Sequence, residues 1–166
     1  MKRLILMRHA KSDWSAGLPD IERSLNPRGQ TSAKALGDWL RTQGHMPGAV
    51  LCSAASRTQE TLARLTLPAD IPVEVTRLLY LAEAATMAQV LREATADRIL
   101  MVGHNPGIAD FAAALLTEQP DHEQFSRYPT GATLIADFDI KEWNELKMHS
   151  GTTVDFVVPR EFSGRT

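Results

Sequence analysis

The sequence predicts an α/β fold: a three-layer α/β/α sandwich on a mostly parallel central sheet. Apolar runs of strand length recur at 3–7, 49–52 and 98–102. Segments with apolar residues at helical spacing separate them. Polar, glycine- or proline-bearing residues punctuate the junctions. Strands that alternate with helices put helices on both faces of a parallel sheet.

The first run, Arg-Leu-Ile-Leu-Met, reads as a buried strand. Residues 8–26 show no period and contain Gly17 and Pro19, which reads as a long loop. Asn26-Pro27 has the form of an N-cap followed by proline at the first helical position. Ala33, Leu36 and Leu40 follow at helical spacing and Gly44 fits a C-cap, so a helix is predicted over 27–43. Ala-Val-Leu-Cys at 49–52 is the second strand, and a helix follows Ser53 to about Leu65. Val73 to Val75 predicts a short strand, and 86–95 a helix with Met87, Val90 and Leu91 on one face. Residues 98–102 form the third strong strand. Asn105-Pro106 repeats the helix start, with the helix at 108–116. Residues 117–131 read as irregular, and 133–138 and 152–158 as strands, with Trp143 on the connection between them. The polar segment Arg160 to Thr166 predicts a disordered tail.

At 166 residues the chain fits one domain, expected to span 1–166. A net charge of −2 offers no global basic field, which argues against a nucleic-acid partner. The apolar run near the N-terminus is too short for a signal sequence or a membrane span, so no membrane association is expected. Cys52 is the lone cysteine and cannot form an intrachain disulfide, which favours a reducing, cytoplasmic setting. A monomer is the favoured state.

The three strong strands each end in residues able to hold an anion: Arg8-His9, Ser53 through Arg57, and Gly103-His104-Asn105. In a parallel α/β sheet, ligands bind beyond the carboxyl ends of the strands. These segments can therefore meet at one point, with the N-termini of the following helices aimed at it. Singly, each residue has an ordinary reading: a histidine at a strand end is usually a satisfied hydrogen-bonder. Jointly they read as a phosphate site.

Met7-Arg8-His9-Ala10-Lys11-Ser12-Asp13-Trp14 resembles the signature of the histidine phosphatase superfamily, also called phosphoglycerate mutase-like. The Ala-Lys-Ser-Asp-Trp continuation is similar to its SixA-type phosphohistidine phosphatase branch. Further blocks resemble that branch at 20–29, 53–61, 102–107 and 129–132. The resemblance implies a phosphoglycerate mutase-like fold and a phosphatase that needs no cofactor or metal. It implies that His9 is the nucleophile and that Arg8, Arg57 and His104 surround the phosphoryl group. It places Arg23 as a further substrate-binding arginine. Ser12, Trp14 and Asn105 flank these and are additional contact candidates. Neighbouring cations would hold His9 neutral, and phosphoryl transfer needs such charge on the equatorial oxygens.

Many members of the wider superfamily carry a general-acid carboxylate, which an ester leaving group needs. The SixA-type branch resembles a version without it, and imidazole as leaving group has a much lower pKa than an alkoxide. Tyr80 has no carboxylate beside it in sequence, and Glu83 falls out of register, reading as a solvated residue near a helix start. The expected substrate is therefore phosphohistidine on a protein. A small phosphoester is the alternative, and a non-catalytic phosphoprotein-binding module a remote one. Cys52 and Arg57 are separated by four residues, one too few for a cysteine-phosphatase loop. His45, His122 and His149 show no metal-binding spacing.

Overall fold

The computed structural model describes residues 1–163. One six-stranded sheet organises the chain: β1 (Lys2–Arg8), β2 (Ala49–Ser53), β3 (Val73–Thr76), β4 (Arg98–Gly103), β5 (Thr133–Phe138) and β6 (Thr152–Val157). Their spatial order is β3-β2-β4-β1-β5-β6. The β3–β2, β2–β4 and β4–β1 pairs are parallel, whereas β1–β5 and β5–β6 are antiparallel. The sheet is thus mixed, with its parallel half built from the three strongest apolar runs and the short β3.

Alternation along the strands splits the core between two faces. Leu4, Leu6, Ile99 and Met101 pack with Met87, Leu91, Ile108 and Phe111 from α3 (Ala84–Arg92) and α4 (Gly107–Leu115). Ile5, Met7, Val50, Leu100 and Val102 pack with Leu36 and Leu40 of α1 (Pro27–Thr42) and with Leu65, which ends α2 (Ser56–Arg64). These are the two outer layers that the sequence predicts.

The two Asn-Pro signals diverge. Asn26 caps α1, its side chain accepting from the Gly29 N–H at 2.8 Å. Asn105 does not cap α4. Its amide donates instead to the carbonyls of Arg127 (2.9 Å) and Tyr128 (3.1 Å), tying that strand end to the 117–131 segment. That segment has no long element but is well packed: Phe125 and Tyr128 are buried and join the core. Helix α3 starts two residues before the predicted 86 and stops at Arg92.

The expected disorder of the C-terminal segment is corrected for its first part. Arg160–Ser163 forms a short helix, α5, because Phe162 gives it an apolar anchor against Trp39, with ring centroids 6.2 Å apart. Residues 164–166 lie outside the described part of the chain.

Helix α4 begins against the β3–α3 connection. A Cβ on Gly107 would lie 1.8 Å from the Ala82 carbonyl oxygen, a backbone atom that cannot step aside. Gly107→Ala should therefore destabilise the fold by about 1–3 kcal/mol. Thermal unfolding checks this; an unchanged Tm would mean that this junction is not tightly packed.

Candidate active site

Strand register brings the predicted segments together. Arg8 lies opposite Gly103, and Val102 lies between Met7 and Cys52 on the two neighbouring strands. The carboxyl ends of β1, β4 and β2 therefore stop at one level. The His9 N–H donates to the Gly103 carbonyl at 3.2 Å, and the Gly131 N–H reaches the His9 carbonyl at 2.9 Å. A cavity of about 440 Å³ opens there. Arg8, His9, Arg23, Arg57 and His104 all line it, and so do Ser12, Trp14 and Asn105.

His9 is 5% exposed. Its Nδ1 lies 2.7 Å from the Ala10 carbonyl oxygen, which can only accept, so Nδ1 carries the proton. The lone pair is left on Nε2. Burial pushes the His9 pKa down to about 3, with Arg8, His104 and Arg57 adding to the effect. The arginines thus favour the neutral ring, as the sequence suggests, but desolvation is the larger cause. His104, also buried, has its Nε2 2.7 Å from Ser53 Oγ. Its pKa falls to about 4, through burial first and then Arg57. The two imidazoles sit with ring centroids 5.3 Å apart. Both are neutral at pH 7.

Around them lies concentrated positive charge. Arg8 is half-buried, and its side chain donates to the Tyr128 carbonyl at 3.3 Å. Burial and nearby Arg57 lower its pKa. Arg57 is 3% exposed and is held by one residue twice: it donates to the Asp20 carbonyl oxygen at 2.7 Å and to the Asp20 carboxylate at 3.0 Å. Arg23 is fixed by Ser12 Oγ at 2.7 Å and Asp20 Oδ1 at 3.1 Å. Trp14, 76% exposed, covers it, with the guanidinium carbon 3.5 Å from the ring centroid. Ser12 and Trp14 therefore hold Arg23 at the pocket.

Three nitrogens in this cluster are buried without a hydrogen-bond partner: Arg8 Nε, Arg57 Nε and His104 Nδ1. An unsatisfied buried polar group costs about 1–3 kcal/mol. Three of them on side chains around one cavity mark a place prepared for an anion rich in acceptors, as phosphate is.

Asp20 and Tyr80 were not singled out from the sequence as site residues. Asp20 binds both Arg57 and Arg23 and also accepts a short hydrogen bond from the Tyr80 hydroxyl. These donors, Tyr80 foremost, draw its pKa down to about 2. Tyr80 has no acidic neighbour in sequence, yet the fold delivers one from 60 residues away. The Asp-x-x-Arg spacing of 20 and 23 was the available signal, an opposite-charge pair at i, i+3. Tyr80 also stands edge-on to His104 at 5.5 Å. Glu83 is exposed and does not line the cavity. Cys52 is fully buried, and burial raises its thiol pKa to about 12, so it carries no thiolate. Among the described residues, no three acidic, histidine or cysteine side chains group as metal ligands. No helix there is long and apolar enough to cross a membrane. A larger concavity of about 500 Å³ lies alongside and shares Lys11 and Thr130 with the site.

Comparison with known proteins agrees with this geometry. The family model of the histidine phosphatase superfamily (branch 1) matches residues 4–80. An uncharacterised protein of Mycobacterium leprae is 35% identical over 93% of this chain and all of its own length. A solved structure from Nakamurella multipartitia, provisionally described as phosphohistidine phosphatase SixA, superposes with a TM-score of 0.82 at 27% identity. The match covers 95% of this chain and 96% of that one. The protein histidine phosphatase SixA complexed with tungstate shares the fold, with a TM-score of 0.78 at 21% identity over 96% and 99% of the chains. With its fold, its strand-end histidines and these relatives, the chain belongs to the histidine phosphatase superfamily and matches the SixA proteins closely in structure.

Proposed function

We propose that this phosphatase removes the phosphoryl group from phosphohistidine carried by a protein, through a phosphohistidine on His9 itself. One observation carries the reading. His9 is a buried, neutral imidazole whose Nδ1 is committed to the Ala10 carbonyl, which leaves Nε2 as a nucleophile beside three arginines.

The residues divide the work. Arg8, Arg23 and Arg57 supply the positive charge that the equatorial oxygens of a transferring phosphoryl group require. Ser53 Oγ accepts from the Ala55 N–H at 3.3 Å, so its own proton can go to His104 Nε2. That tautomer puts the His104 proton on Nδ1, the buried nitrogen lacking a partner. His104 then donates to a phosphoryl oxygen as a neutral ring.

In the first step, His9 Nε2 bonds to phosphorus as the bond from phosphorus to the substrate nitrogen breaks. The bond pair returns to the departing imidazole. One bond between phosphorus and an imidazole nitrogen replaces another, so the exchange is close to balanced in energy. In the second step, water attacks phosphorus, the His9 nitrogen recovers its electron pair, and the water's proton leaves with phosphate. The charge is supplied by arginine, and no step draws on a metal.

The choice of substrate follows from the acid that is missing. Asp20 is the carboxylate lining the cavity, and its pKa near 2 keeps it ionised at pH 7. It has no proton for an alkoxide. An imidazole already protonated on its remote nitrogen needs none, because it departs as a neutral ring. The SixA-like structural match supports the same choice.

Phosphate release from a phosphohistidine peptide and from a sugar phosphate, without added metal, tests the reading. Faster release from the peptide is the expected result. Preference for the sugar phosphate would establish a small-molecule phosphoester phosphatase instead. Tight binding of the phosphopeptide without release would point to a binding module.

A further inference from the structure

A negative charge inside a phosphate site demands a reason. Asp20 lines the same cavity as His9, with its carboxylate among the cations that would receive a dianion. Like charges brought together cost binding energy. Holding Arg57 and Arg23 in place accounts for part of the arrangement, but not for the whole capacity of the group. An ionised carboxylate offers about four acceptor positions. Arg23 Nε takes one on Oδ1, and Arg57 Nη2 and the Tyr80 hydroxyl take two on Oδ2. One position on Oδ1 stays open, on a side chain 42% exposed.

The nucleophile shows what such an acceptor could serve. On His9, the ring nitrogen remote from the reaction gives its proton to the Ala10 carbonyl. A phosphorylated imidazole has the same need. When its remote nitrogen is protonated, it leaves phosphorus as neutral imidazole. When that nitrogen is bare, it must leave as the far more basic imidazolide. An acceptor facing that N–H favours the protonated, reactive form of the substrate. Asn105 Oδ1 on the cavity wall also lacks a partner, but as a neutral amide oxygen it is a weaker acceptor than a carboxylate. Asp20 is open, and Tyr80 holds it through Oδ2, the oxygen that does not carry the free position.

We infer that Asp20 is a specificity-determining residue: its free Oδ1 position accepts the remote N–H of the phosphorylated imidazole and so selects phosphohistidine over phosphoesters. The inference rests on the phosphohistidine reading above. The transfer itself is unchanged: the bond from phosphorus to the substrate nitrogen breaks, the pair returns to that nitrogen, and the proton on the remote nitrogen stays where it is, against Asp20. An aryl or alkyl ester presents no N–H there and meets only the carboxylate's repulsion.

The test is the ratio of kcat/KM for a phosphohistidine peptide to that for p-nitrophenyl phosphate. The ratio does not depend on how much of a variant is folded. Asp20→Asn and Asp20→Ser both remove the charge, and each should lower the ratio about tenfold, the size of one charged hydrogen bond. Asp20→Glu keeps the charge and should restore most of the ratio. Equal losses on both substrates would reduce Asp20 to a positioning residue for Arg57 and overturn the inference, as would an unchanged ratio. The wild-type ratio judges the phosphohistidine reading separately. A wild type that turns over the ester but not the peptide removes that reading, whatever the variants do.

Discussion

His9→Ala abolishes turnover of every phosphorylated substrate, with a loss on the order of 10⁴-fold or more, the scale seen when a covalent nucleophile is removed. Apart from its main-chain bonds, the ring makes one hydrogen bond, to the Ala10 carbonyl, and the strand-end bond to Gly103 uses the backbone. The variant should therefore fold, and its circular dichroism should match the wild type. Two readouts separate loss of the nucleophile from general damage. The wild type, quenched during turnover, should carry phosphate in a bond that is labile to acid and stable to alkali, the signature of phosphohistidine, and the variant should carry none. Imidazole added to the variant should recover part of the rate by entering the space left by the ring. Turnover within tenfold of the wild type would remove His9 as nucleophile and end the proposed chemistry.

The legible parts of this protein were those fixed by neighbours in sequence. β1, β2 and β4 are continuous apolar runs because both of their faces are covered, and such runs stand out. Arg8, His9, Arg57 and His104 sit directly at strand ends or in a first helical turn, so placing the strands placed them. The sequence was silent where long-range packing decides. Nothing near Tyr80 announces a carboxylate, because Asp20 arrives from a loop whose course is set by Ser12, Leu25 and Arg23. The same Asn-Pro pair begins α1 with a cap and precedes α4 without one, since the Tyr128 carbonyl competes for the Asn105 side chain. Phe162 stabilises a short helix in a segment that reads as polar, because Trp39 is within reach only in the fold. The size of the His9 shift also escaped local reading. Charge neighbours are visible in a motif, whereas burial is a property of the whole core.

Acid should destabilise this protein earlier than its carboxylates alone would dictate, and the two buried histidines of the site should lead the effect, with buried His45, whose pKa burial also lowers, acting in the same direction. His9 and His104 titrate at about 3 and about 4 in the folded protein, both below the ordinary histidine value near 6.5. The sign follows from proton counts. Below about pH 6.5 the unfolded chain takes up a proton at each ring, while the folded protein does not until pH 4 or lower. The unfolded state therefore gains as pH falls, and stability drops between about pH 6.5 and pH 4. At pH 5 each histidine should contribute a loss of about 2 kcal/mol relative to pH 7. Asp20, titrating at about 2, keeps its contribution through this window and loses it only at lower pH. Urea unfolding at pH 7 and at pH 5 measures the difference. The variants decide its origin: His9→Ala and His104→Ala should each recover about 2 kcal/mol of the pH-dependent loss, even where they lower stability at pH 7. A wild type as stable at pH 5 as at pH 7 would mean that the rings protonate freely in the folded state, and His9 could not then be the neutral nucleophile that the site requires. The instability is the same property as the reactivity. Burial that keeps the His9 lone pair available at neutral pH is burial that the folded state cannot sustain once the unfolded chain is free to bind the proton.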